Sequence, residues 1–241
     1  NIVIAEVNNA LPFTYGDTFV HVSSINHFVE SQHGLLTIPY GKPSEEELTI
    51  GKHVSTLIPD YATIQVGIGK IANSVLLSLK SKKGLGIHSG SITDPVIELM
   101  EQGVITNERK EINRYKTVCT TLTGTNELYE YCHRNKNIEL FPTDYTHNAT
   151  IISNISNFYS VNSALEVSLS GQINAEQVGD YPVAGVGGQM DFIRGSKLST
   201  GGKAIIALPS TARNGSESRI KIDIPYVTSV KSDIDYVVTE Y

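Results

Sequence analysis

Several absences set the first limits on this chain. No Lys/Arg run or basic stripe interrupts a net charge of −6, so nothing points to nucleic acid as a partner. No apolar stretch approaches the ~20 residues that a membrane-spanning helix needs, and the opening residues carry no signal-peptide pattern. The only two cysteines, Cys119 and Cys132, have the spacing of neither a metal site nor a redox pair, and they read as buried, inert thiols of a cytoplasmic protein. No cluster of His, Cys, Asp and Glu has metal-ligand spacing, so no metal centre is expected. Internal repeats and low-complexity tracts are missing as well.

What remains is ordinary globular material. The 241 residues are 40% hydrophobic and 18% charged, enough to bury a sizeable core in one or two domains. Both ends read as cut. The chain opens on Asn1 inside the apolar run "NIVIAEV" and closes on "DYVVTEY", which stops like an interrupted strand, so a fragment of a longer protein is expected. Residues 1–41 carry strand-like runs, "IVIAEV" and "FVHVSSI", with little helical signal, and read as a linker with strands that belong to the end of a preceding domain. Residues 42–241 read as the domain proper.

Ser44, with Glu47 three positions on, spells a capping box and starts a helix to about Ile58. "YATIQVGIGKIANSVLLSLKSK" gives a strand, a glycine turn and a helix with Ile71, Val75, Leu76 and Leu79 at helical spacing. "LGIHS" is a further strand, followed by a helix over Asp94–Gln102 with Pro95 in its first turn and Gly103 as its stop. "TVCTTL" and "TNELYEYCHRN" repeat the alternation. From Phe158 the pattern becomes strands and turns: "FYSVNSALEVSLSGQI", "KAIIALPST", "RIKIDI", "YVTSV" and "IDYVVTEY". Strands alternating with helices predict an α/β domain around a mostly parallel sheet, with antiparallel pieces from the strand-rich tail.

Two glycine-rich stretches could hold a ligand. In "QVGIGKIANSV" Gly67 and Gly69 sit between a strand and a helix, where exposed N–H groups suit an anion or a developing oxyanion; the stretch is neither G-x-G-x-x-G nor a Walker loop, and taken alone it reads first as a plain tight turn. In "GVGGQMDFIRGSKLSTGGK" the glycine density predicts no regular element, and either a loop pressed on a ligand or a mobile surface loop. His88, at a strand end, is a candidate base or a hydrogen-bonded structural histidine, and His21 and His27 carry the same two readings. Glu166, alternating with apolar residues, reads as a structural or solvated carboxylate.

Taken together, "IQVGIGKIANSV", "LGIHSGSITDPVIELMEQGVITN", "VNSALEVSLSGQIN" and "GVGGQMDFIRG…GGKAIIALPSTA" resemble the acetyl-CoA hydrolase/transferase family, in its 4-hydroxybutyrate or butyrate:acetate CoA-transferase branch, over nearly the whole chain. The resemblance implies the C-terminal part of a longer protein. It implies a three-layer α/β domain with a mixed sheet, of the NagB/RpiA/CoA transferase-like kind, and a homo-oligomer. It also implies exchange of coenzyme A between a short-chain acyl-CoA and a small carboxylic acid such as acetate, 4-hydroxybutyrate or butyrate. Coenzyme A would then be a substrate, with no permanently bound cofactor. The family's nucleophile is a glutamate, which attacks the thioester and carries the acyl group.

By the same resemblance Gln65, Val66, Gly67, Ile68 and Gly69 line the CoA and oxyanion site, with Leu165, Gly187 and Gly188 beside it, and Asn148 holds the substrate carboxylate. At the corner where the family carries His-Thr-Glu, this chain reads His88-Ser89-Gly90. Glycine cannot attack a thioester. Three accounts stay open: a carboxylate from elsewhere serves as nucleophile, water takes its place and the protein is an acyl-CoA hydrolase, or CoA is bound without turnover. A Ser89 or Ser91 nucleophile lacks an evident His–acid pair. If Gly90 occupies the nucleophile's position, Gly67–Gly69 and Gly187–Gly188 should converge beside it at the carboxyl ends of the strands, with open space where a side chain would project.

Overall fold

The computed structural model describes residues 1–241. Its centre is a parallel sheet whose strands, in chain order, are β1 (Tyr15–Gly16), β2 (Thr63–Val66), β3 (Gly86–Ile87), β4 (Thr117–Cys119), β5 (Ile138–Leu140), β6 (Phe158–Ser163), β7 (Lys203–Ala207) and β8 (Tyr236–Val238). Five of them lie in the order β8-β7-β6-β2-β3, and β4, β5 and β1 continue the sheet through a parallel bridge between His88 and Val118. All these pairings are parallel. From β2 the chain steps through β3 and β4 to β5 in one direction; from β6 it steps through β7 to β8 in the other. The reversal falls between β2 and β6, which are direct neighbours. In open α/β sheets, ligands bind at such a switch point, beyond the carboxyl ends of the strands.

Helices cover both faces. The helices α1 (Glu45–Leu57), α2 (Lys70–Ser78), α3 (Asp94–Glu101) and α4 (Asn126–Cys132) follow in order, then two short ones, α5 (Thr143–Thr146) and α6 (Ala149–Ser153), and finally α7 (Gln189–Leu198). Ser44 and Glu47 form the reciprocal capping box that starts α1, and Gly103, at φ 71°, follows the end of α3. Strand β7 shows the layering: Ile205 and Ala207 join the large core with Ile50, Val54 and Val75, whereas Ala204 and Ile206 pack with Ile193 of α7 on the opposite face. This is a three-layer α/β domain. The antiparallel element lies in satellites, where strand Glu166–Ser168 pairs antiparallel with Ile173–Asn174 and parallel with Ile220–Lys221, making a mixed sheet.

The structure departs from the sequence pattern in four places. The glycine-rich stretch predicted to lack regular structure contains α7, and its mid-helix Gly195 has a packing reason: a Cβ there would lie 2.7 Å from Ile152 Cβ, so only glycine lets α7 approach α6 this closely. "FVHVSSI" is not a strand; Val22–Ser24 makes a 3₁₀ turn, and the strand that pairs with Ile4–Asn8 is His27–Ser31. "TVCTTL" splits at Thr120 into β4 and a two-residue strand, Thr121–Leu122. "YVTSV" supplies only a bridge from Ser229 to Ile173. Across residues 1–41 only β1 joins the main sheet, and Ile4, Phe19, Val20, Phe28, Leu36 and Ile38 are exposed.

Candidate functional site

At the switch point a buried amide pair marks the floor of a cleft. Gln65 Nε2 donates to Asn162 Oδ1 at 3.2 Å, and Asn162 Nδ2 donates back to Gln65 Oε1 at 3.2 Å. Each side chain satisfies the other, so β2 and β6 are tied where they would otherwise expose unpaired polar groups. Above the pair lies a cleft of about 500 Å³, to which Gln65, Val66, Gly67, Ile68, Gly90, Gly187 and Gly188 all contribute. Gly69 lies just outside it. At φ 105° it caps α2 and lines the adjoining cavity with Tyr40 and Lys70.

The glycine turn divides its amides between structure and cleft. Gly67 N–H donates to the Val161 carbonyl at 3.1 Å, extending the β2–β6 ladder, while the N–H groups of Ile68, Gly69 and Gly90 have no acceptor within the chain. Orphan amides at the start of α2, aligned with its positive dipole end, favour a negative group nearby. Leu165 stands apart from the cleft lining; its N–H donates to the Asn174 carbonyl at 2.8 Å and its carbonyl accepts from Arg219 Nη1 at 3.3 Å. Asn148 is likewise outside the lining. Its Oδ1 accepts from the N–H groups of Thr150 and Ile151, capping α6.

No Asp or Glu lines the cleft. The nearest acid in sequence, Asp94, is buried and accepts from Thr125 N–H at 3.2 Å and from the Thr125 hydroxyl, which ties the start of α3 to that of α4. The serines of the corner are also engaged. Ser89 Oγ is buried and donates to the Val66 carbonyl at 3.3 Å, and Ser91 Oγ donates to Thr123 Oγ1 at 2.9 Å. Glu166 has a structural setting, accepting from Asn174 Nδ2 at 3.0 Å with Lys221 Nζ at 3.7 Å.

At Gly90 itself the expected open space is absent. The His147 ring occupies it: a Cβ built on Gly90 would lie 3.0 Å from Nε2 and 3.2 Å from Cε1, and one on Gly188 would overlap the same ring. Nothing in the sequence pattern marks His147 beyond its place at the end of α5, one residue before the Asn148 cap. Behind it, His88 is buried; its Nε2 donates to the Thr146 carbonyl at 2.9 Å and its Nδ1 has no partner. Burial, reinforced by the Lys110 charge, lowers the His88 pKa to about 3, which keeps the ring neutral. Lys110, also buried, donates to the carbonyls of Ile87 at 2.8 Å and Lys116 at 2.7 Å, bracing β3 against β4, and burial draws it down to about 7. Burial pushes the Cys132 thiol up to about 12 and Cys119 higher still, as inert core thiols require.

A family profile for the acetyl-CoA hydrolase/transferase C-terminal domain matches residues 124–241. Over 243 residues the chain is 48% identical to a 4-hydroxybutyrate coenzyme A transferase from Clostridium kluyveri, covering all of this chain and 57% of that protein. The chain belongs to the acetyl-CoA hydrolase/transferase family. Among solved structures of similar shape are RipA from Yersinia pestis, at TM-score 0.93 and 36% identity over 99% of this chain and 55% of that one. Another is a 4-hydroxybutyrate CoA-transferase from Porphyromonas gingivalis, at TM-score 0.88 and 38% identity over 100% of this chain and 57% of that one. The fold is therefore that of the CoA-transferases. The chain spans a little over half the length of these family members.

No helix is long and apolar enough to cross a membrane, and no group of three or more His, Cys, Asp or Glu side chains could hold a metal ion.

Proposed function

We propose that the protein carrying this chain moves coenzyme A between a short-chain acyl-CoA and a small carboxylic acid such as acetate, butyrate or 4-hydroxybutyrate. One observation carries the reading: the free amides of Ile68 and Gly90 and the Gly187–Gly188 turn meet in a single cleft at the β2–β6 switch point, where a thioester carbonyl would find hydrogen-bond donors as it becomes an oxyanion. In this reading a carboxylate oxygen attacks the thioester carbon, the C–S bond breaks, and CoA leaves as thiolate from a mixed anhydride. The thiolate then attacks the other carbonyl, breaking its C–O bond and releasing the first acid as carboxylate. With glycine at position 90 and no acid in the cleft lining, this reading takes the attacking carboxylate from outside this chain, from the rest of the protein or from the acceptor acid.

Coenzyme A enters and leaves as a substrate, and no resident cofactor takes part. The remainder of the longer protein packs against residues 1–41, and the whole works as a cytoplasmic homo-oligomer. The test is exchange: full-length protein with butyryl-CoA and isotopically labelled acetate should yield labelled acetyl-CoA by mass spectrometry. Protein that binds butyryl-CoA yet yields no acetyl-CoA would overturn the transfer reading.

A further inference from the structure

The His147 ring is held at several points, with one nitrogen left over. Its Nδ1 lies 2.8 Å from Thr146 Oγ1, which in turn contacts Thr120 Oγ1 at 2.5 Å. The ring packs on Phe192 with centroids 4.6 Å apart, and His88 fixes the peptide before it through the Thr146 carbonyl. Nε2 has no hydrogen-bond partner, and it is the ring nitrogen that faces Gly90. Of the charged and titratable groups around the ring, Asp191 of α7 favours its protonated form and neutral His88 lies behind it. Burial outweighs Asp191 and lowers the His147 pKa, so the ring is unprotonated at neutral pH. Glycine at both 90 and 188 is what gives the ring its place, because a Cβ at either position would press on it.

We infer that His147 is a catalytic base acting on water at the Gly90 corner, giving the cleft an acyl-CoA hydrolase activity that needs no acceptor acid. The step balances without another reagent. Nε2 takes a proton from water as the water oxygen bonds to the thioester carbon; the intermediate collapses with cleavage of the C–S bond; the imidazolium returns the proton to the CoA thiolate, leaving a carboxylic acid and free CoA. The amides of Ile68 and Gly90, on the same cleft, are the donors available to the intermediate's oxygen. This rests on the reading that the cleft accepts an acyl-CoA.

The experiment uses full-length protein, butyryl-CoA and no carboxylate acceptor, with thiol release followed colorimetrically from pH 5 to 8 and butyryl-CoA binding measured by calorimetry. The wild-type rate should rise with pH through an inflection below 6.5 and then level off, since the unprotonated ring is the active form. His147→Gln should lower the plateau by about 10²–10³-fold with binding changed less than about threefold, and added imidazole should restore part of the rate to His147→Ala. Gln at 147 keeping more than a third of the rate would overturn the assignment, as would loss of binding along with rate and no recovery by imidazole. Wild type that exchanges CoA with acetate but releases none to water would overturn hydrolysis and leave transfer standing. Wild type that does not bind butyryl-CoA would overturn both.

Discussion

Gly90→Ala, made alone and beside His147→Ala, measures directly whether the imidazole lies over this glycine. An ordinary Cβ contact falls at 3.4–4 Å, but the new methyl would sit 3.0 Å from Nε2 and 3.2 Å from Cε1, so the ring must retreat by a few tenths of an ångström. It cannot retreat freely. Moving it lengthens the 2.8 Å bond from Nδ1 to Thr146 Oγ1 and disturbs the packing on Phe192. Overpacking of this kind costs about 1–3 kcal/mol, so a loss of about 1–2 kcal/mol is expected for the single variant. With His147 already Ala, the nearest remaining neighbour is Phe192 Cε2 at 3.5 Å, an ordinary contact. Gly90 also lies outside the left-handed region, so alanine there should stabilise by about 0.4–1 kcal/mol by narrowing the unfolded ensemble.

The sign of the Gly90→Ala effect should thus reverse between backgrounds, a coupling of about 2 kcal/mol, well above the additivity error of ~0.5 kcal/mol for independent sites. Urea unfolding of the four full-length proteins, monitored by tyrosine fluorescence and circular dichroism, gives the cycle. A coupling below about 0.5 kcal/mol would refute the placement of the ring.

Three further outcomes follow from the same geometry. Gly90→Glu combined with His147→Ala both clears the space and supplies a carboxylate, so exposure to butyryl-CoA should leave a CoA adduct on the peptide containing position 90; a folded, CoA-binding double variant without one would show that this corner does not meet the thioester. Lys110→Met keeps the side chain's length but removes its bonds to the carbonyls of Ile87 and Lys116, and should destabilise by about 2 kcal/mol in urea unfolding, whereas a change within ~0.5 kcal/mol would mean those bonds are replaceable. His88 is held neutral to about pH 3 in the fold but takes up a proton near pH 6.5 when unfolded, so its contribution is lost as pH falls below 6.5. At about 1.4 kcal/mol per pH unit, roughly 2 kcal/mol should go between pH 6.5 and pH 5; a His88→Gln variant losing as much over that interval as wild type would rule this out.

The legible parts of the chain were those in which local chemistry and tertiary demand agree. Ser44 and Glu47 cap α1 whatever surrounds them, and Pro95 and Gly103 bracket α3 for reasons internal to the helix. The strand–helix alternation from β2 to β5 followed from burial patterns that the sheet later enforces. Helix α7 was hidden because its glycines serve neighbours rather than the helix: Gly195 admits Ile152, and Gly188 admits the His147 ring. "FVHVSSI" has the apolar alternation of a strand, but no other strand pairs with it, and Val22–Ser24 turns instead.

The site divided along the same line. The resemblance groups Gln65 to Gly69, Leu165, Gly187 and Gly188 with Gly90; Gln65 to Ile68, Gly187 and Gly188 line one cleft with it, whereas Gly69 faces the adjoining cavity and Leu165 stands apart. His147 could not be grouped with them, because its relation to Gly90 exists only in three dimensions, brought about by β5 and α5 carrying Thr146 over the end of β3, where His88 grips its carbonyl. With glycine at position 90 and the His147 ring over it, this corner presents a proton acceptor and no side chain of its own from position 90. An imidazole with Nδ1 anchored and Nε2 bare is suited to deprotonating water. Under the proposed acyl-CoA reading, whether the acyl group passes to an acid or to water depends on which oxygen reaches the thioester first, and His147 is the base proposed for water.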